Sequence, residues 1–150
     1  MIAMRGSWIA HCPTANRFLK AGTFDRATAL SAGVKVALGS DVAGGPHRSV
    51  VRVARGMIDA AKTVGKTPPT AAECWWQITG GNVWAMGLGD VGRLAPKCVA
   101  DTALWKPNIR WRDAAEPLSS LLYGWNDRWL KGVWTGGIRR YPGRDGPRSR

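Results

Sequence analysis

The sequence predicts an α/β fold built on parallel strands, followed by a separate β-rich segment, and three observations carry that reading. In Val34-Lys-Val-Ala-Leu-Gly-Ser-Asp41, Val34, Val36 and Leu38 alternate with Lys35, Ala37 and Gly39. That two-residue period predicts a strand of about seven or eight residues. A Gly44-Gly45-Pro46 loop follows, and beyond it Val50, Val53, Ala54, Met57 and Ala61 recur at helical spacing. Strand, loop and helix in this order form the βα unit of parallel α/β folds, in which chemistry is placed at strand tips. Thirdly, the texture changes at Val91, after which short β-type runs lead to a hairpin turning at Gly136-Gly137. Asp41 stands at the tip of the predicted strand. Spacing alone leaves it open between the start of a turn and a carboxylate delivered to a site.

The earlier elements agree with this plan. Ser7-Trp-Ile-Ala10 is a short apolar run that enters His11-Cys-Pro-Thr-Ala-Asn16. Pro13 stops a strand ladder and Asn16 can bond its own backbone, so the strand is expected to pass into a loop. Phe24, Ala27 and Leu30 mark a short helix that Gly33 closes. After Gly65-Lys-Thr-Pro-Pro69, Thr70-Ala-Ala-Glu73 is a capping box. It starts a helix carrying Cys74, Trp75 and Ile78 that is expected to stop at Gly80-Gly81. A second short helix then holds Val83, Trp84 and Met86. In the last part, Thr102–Trp105 reads as a strand, and Leu118, Leu121 and Leu122 as a helical turn or two. Two parallel strands with their crossover helices cannot cover both faces of their own sheet, so this pattern belongs in a larger one.

Composition bounds the function classes. The 150 residues suffice for one domain or part of one, and no run reaches the length of a membrane span. The start lacks the apolar region of a secretory signal. Cys12, Cys74 and Cys98 are odd in number and widely spaced, which predicts neither a disulfide framework nor a zinc ribbon and suits a cytoplasmic location. A formal charge of +12 raises nucleic-acid binding, and six of the nine tryptophans (Trp75, Trp76, Trp84, Trp125, Trp129, Trp134) could stack on bases. Against this, the basic residues are scattered except near the end. The tryptophans also lie in amphipathic segments that need core residues. Nucleic acid and membrane are therefore not expected partners. Residues 142–150 read as a disordered basic tail.

Five ordered segments carry a resemblance. Ile9-Ala-His11-Cys-Pro-Thr-Ala-Asn16 is similar to an AHCPxSN segment, and Phe18–Phe24 to the loop after it. Ala32–Gly45 resembles a strand ending GLGTDVAGG. Gly92-Arg-Leu-Ala-Pro96 with Ala100-Asp101 resembles an entry of the form GxLxPGxxAD. Leu121–Arg128, followed by Val133–Gly137, completes the set. Together these resemble the metal-dependent amidohydrolases and, within them, the guanine deaminases.

The resemblance implies the C-terminal portion of a (β/α)8 barrel, about strands 7–8 with flanking helices, plus part of a small β domain. Its expected boundaries are 1–90 for the barrel part, 91–141 for the β-rich segment and 142–150 for the tail. It further implies a zinc ion, guanine as substrate, hydrolysis to xanthine and ammonia, and a homodimer in the complete enzyme. Asp41 becomes the expected metal ligand and catalytic proton acceptor. His11 and Asn16 become substrate-side or loop-holding candidates, and His47 is expected in a surface or capping role. The departures matter as much. The family's zinc needs a His-x-His pair and further histidines, whereas this chain has only His11 and His47. The family's general-acid glutamate has no counterpart, Ala15 stands for a serine, and Lys97 stands for a turn glycine. The expectation is therefore a chain inactive by itself. Another amidohydrolase, acting on triazines or other purines, is the alternative reading, and a basic Trp-rich nucleic-acid module is the alternative from a different class.

Overall fold

Pro13 decides how the first strand ends. The computed structural model describes residues 2–142, and in it β1 (Trp8–His11) passes through Cys12 directly into α1 (Pro13–Phe18). A loop was expected here. Proline at the first helical position has no N–H to satisfy and a φ already suited to a helix. The Asn16 N–H then bonds the Cys12 carbonyl at 2.9 Å, which fixes the first turn. The short helix α2 (Arg26–Ser31) follows, its first turn capped by Asp25, whose carboxylate accepts from the Thr28 N–H. It closes as foreseen: Gly33 adopts φ +75° and its N–H bonds Leu30, while the Val34 N–H bonds Ala29.

That closure shortens the next strand. β2 spans Lys35–Leu38, four residues rather than the predicted seven or eight. Val34 is spent on α2, and the ladder ends where the Gly39 N–H bonds the His11 carbonyl. β1 and β2 are parallel, with His11 opposite Leu38. Val36, Ala37 and Leu38 are buried, whereas Trp8 and Ala10 of β1 are exposed. The long helix α3 (Val50–Thr63) buries Val51, Val53, Ala54, Met57 and Ile58. It crosses α1 closely at Gly56, where a Cβ would lie 2.7 Å from Thr14 Cγ2.

α4 (Ala71–Trp76) starts on the capping box of Thr70 and Glu73. The expected stop at Gly80-Gly81 does not occur. The helix runs on through a π turn, Gln77–Gly81, into α5 (Asn82–Met86). Gly81 keeps helical angles, φ −66° and ψ −42°, and a Cβ there would fall 2.7 Å from the Trp76 ring. Close packing, not chain reversal, is what this glycine serves. Trp76 and Trp84 are more than half exposed, against the expectation that they are core residues.

The described residues divide into two compact units between Leu88 and Gly89. In the second, β3 (Thr102–Trp105), β4 (Leu130–Thr135) and β5 (Ile138–Tyr141) form an antiparallel sheet in that order. The hairpin turns at Gly136 and Gly137, both at positive φ as a two-residue turn of this hand requires. α6 (Pro117–Tyr123) buries Leu122. Trp129 is buried, edge-on to Trp125, and its indole N–H bonds Asn108. Lys97 holds φ +68°, so the turn keeps the backbone that the missing glycine would favour. Of the predicted tail, residues 143–150 lie outside the described residues.

Candidate active site

The chain leaves β2 through Gly39 and Ser40 and turns sharply at Asp41, which adopts φ +49°. Aspartate is among the few residues that enter this region with modest strain. The loop folds back at once: the Gly45 N–H bonds the Asp41 carbonyl. Of the two glycines that follow, Gly45 is the one the backbone requires, whereas a side chain at Gly44 would displace the Asp41 carboxylate. A Cβ on Gly44 would stand 2.8 Å from Asp41 Oδ2, and one on Gly45 would meet the Ser40 carbonyl and press on Ala15 at 3.0 Å. The GG pair therefore lets a tight loop close beside an exposed carboxylate. That carboxylate accepts no hydrogen bond and joins no ion pair among the described residues. Cys12 lies near enough to feel it: burial first, and the Asp41 charge second, push the Cys12 thiol above its ordinary value.

His11 lies elsewhere. It is 2 % exposed, its ring tilts against Phe24 with centroids 5.0 Å apart, and neither ring nitrogen has a hydrogen-bond partner. Burial, helped by the Arg26 charge, lowers its pKa to about 4. Asn16 is half-buried and shares with His11 a small cavity of about 20 Å³ beside Gly56. Asp41 lines neither this cavity nor the larger one next to His11. His11 and Asn16 thus line one cavity, and Asp41 does not. His47 is half-buried, two residues ahead of Ser49, which precedes α3.

The low pKa of His11 makes stability depend on pH in a defined direction. The unfolded histidine takes its proton near pH 6.5 and the folded one only near pH 4, so acid favours unfolding across that window. We expect the first unit to lose about 3 kcal/mol between pH 6.5 and 4 from this group, at ~1.4 kcal/mol per pH unit. Above pH 6.5 the contribution is fully present. Urea unfolding at a series of pH values checks it: His11→Leu should flatten the profile, and an unchanged slope would refute the assignment.

Sequence reasoning missed a polar network at the free edge of β2. Asn82 receives the Leu38 N–H on Oδ1 at 2.7 Å and donates from Nδ2 to the Leu38 carbonyl at 3.0 Å. One side-chain amide thereby imitates the neighbouring strand. Gln77, 1 % exposed, donates to the Val36 carbonyl at 2.9 Å and to Asn82, and it accepts from Arg26 at 2.6 Å. Burial pulls the Arg26 guanidinium below its ordinary value. The five-residue step from Gln77 to Asn82 is the π spacing, and it aims both amides at one strand edge.

A hydrolytic zinc site takes several nitrogen or carboxylate ligands within about 2 Å of the ion. Among the described residues no three His, Cys, Asp or Glu side chains gather in that way. Asp41 and its surroundings do not fit a zinc ion unaided. No helix among the described residues is long and apolar enough to cross a membrane.

A parallel βα unit with an uncommitted carboxylate just past the strand, followed along the chain by a small antiparallel sheet, defines an α/β scaffold with one acidic candidate site. The chain belongs to the amidohydrolase family, whose model matches residues 1–139. It is 34% identical to a guanine deaminase of Dictyostelium discoideum over 93 residues, 59% of this chain and 21% of that protein. Among solved structures it is similar to E. coli guanine deaminase, with a TM-score of 0.86 at 24% identity over 93% of this chain and 35% of the other. It is also similar to an adenosine deaminase from Xanthomonas campestris with bound zinc, with a TM-score of 0.80 at 26% identity over 99% and 35%. The chain spans about a fifth to a third of the length of these proteins.

Proposed function

We propose that this chain forms the part of a guanine deaminase that contains barrel strands seven and eight and the small β domain. β1 and β2 are then strands seven and eight, residues 1–90 belong to the barrel, and residues 91–141 belong to the β domain. The observation that carries the reading is Asp41. It stands three residues past the end of a parallel strand, two glycines pack close to it, and its carboxylate has no hydrogen bond or ion pair among the described residues to account for it. The exposed face of the two-stranded sheet, with Trp8 and Ala10, suits a larger sheet that would cover it.

In this role the Asp41 carboxylate accepts the proton that water gives up as it attacks the amidine carbon of guanine, and returns it to the amino group, which leaves as ammonia when the C–N bond breaks. A positioned carboxylate is the class of base such a hydrolysis uses. We assign Asp41 also as a zinc ligand of the complete site, with the histidine ligands coming from outside this chain; the chain by itself is then inactive. His11, at the end of β1, and Asn16, in α1, hold the strand-seven loop, since both line one small cavity that Asp41 does not reach. Guanine as substrate rests on the named relatives, the homodimer on the resemblance, and a cytoplasmic setting on the three free cysteines.

A chimera tests the substrate. Residues 1–142 replace the matching part of E. coli guanine deaminase, and the product is assayed with guanine, adenosine and an aminotriazine. Xanthine formation with little turnover of the others is the expected result. Preference for adenosine would move the chain to another branch of the family.

A further inference from the structure

The described residues enclose a larger cavity, with polar and apolar walls, that Asp41 does not line. It measures about 300 Å³ and lies between α2, α3 and residues 66–70. Phe24, Met57, Ala61, Val64 and Pro69 supply apolar walls. The ionisable groups lining it are His11, Asp25, Arg26, Lys66 and Glu73. Two of the charges are paired: Asp25 caps α2 through Thr28 and sits 3.6 Å from Lys66. Glu73 is held by the Thr70 N–H at 2.7 Å and its hydroxyl at 2.8 Å. Arg26 is different. Its Nη2 bonds only the neutral Gln77 amide, and its buried Nε has no acceptor. Beside it His11, 2 % exposed, has two buried ring nitrogens without partners.

Buried donors without acceptors are costly, and a charged donor most of all. A cavity that leaves a guanidinium Nε and an imidazole unmet, beside apolar walls and with its carboxylates already engaged by Lys66 and Thr70, matches an anionic head on an apolar body. We propose that this cavity binds a small organic acid, its carboxylate on Arg26 and His11 and its hydrocarbon part against Phe24, Met57 and Val64. Binding here is separate from the Asp41 site and does not depend on the assignment of guanine.

Benzoate and its neutral isostere benzamide are the probes, titrated into the chain by calorimetry and followed on the His11 ring resonances by NMR. Benzoate should bind saturably and shift those resonances, with benzamide at least about tenfold weaker, as the loss of a charge-assisted hydrogen bond implies. Arg26→Gln should weaken benzoate by about tenfold or more. Arg26 also holds Gln77, so Ala61→Leu serves as the second variant: it fills the cavity without touching the polar groups and should abolish binding while the thermal transition is retained. Equal affinity for benzoate and benzamide, absence of saturable binding, or binding that survives Ala61→Leu would each overturn the proposal.

Discussion

In the chimera with E. coli guanine deaminase, Asp41→Asn should lower kcat by about 10² to 10⁴, the range that a positioned general base contributes. The substitution isolates chemistry from structure unusually well. Asparagine has the same shape and tolerates the left-handed backbone at φ +49° at least as well as aspartate. The Asp41 carboxylate accepts no hydrogen bond and joins no ion pair among the described residues, so none is lost. The unfolding temperature should therefore stay where it was. A loss below about tenfold in a folded protein would show that Asp41 is a turn residue and the proton acceptor lies elsewhere.

Asn82→Ala should destabilise the first unit by about 4 kcal/mol, since each of two buried backbone groups loses a partner at about 1–3 kcal/mol apiece. Leu38 is buried, and its N–H and carbonyl both depend on the one amide. Gln77 loses its contact with Asn82 as well. For a unit of this size the shift in Tm is about 20 °C, at roughly 5 °C per kcal/mol. Circular dichroism melting reads it directly. A change under 1 kcal/mol for Asn82→Ala would mean that water replaces the amide at this edge.

What the sequence made legible follows from what is local. The Gly33 closure, the capping box at Thr70 and the Gly136-Gly137 hairpin are short-range patterns and each appears in place, while the alternation around Val36 and Leu38 marks a strand that proves shorter than its pattern. Asp41 was visible because a strand, an acid and two glycines adjoin in the chain. The misses are tertiary. Pro13 stops a strand and equally starts a helix, and only the bond from Asn16 to Cys12 decides between them. Gly80-Gly81 resembles a stop until Trp76 is seen to need the space. Arg26, Gln77 and Asn82 carry no motif, since a strand edge brings them together across some fifty residues of chain. An asparagine inside a helix, where its propensity is poor, was the one available hint.

The most direct test of the account is guanine turnover by the chain itself in saturating zinc. Catalysis of this kind depends on a metal-activated water held by several ligands, and the described residues gather no such set. Xanthine should form no faster than in buffer with zinc alone. Zinc-dependent turnover that is abolished by Asp41→Asn would contradict it, because the chain would then hold a complete site without any histidine from outside.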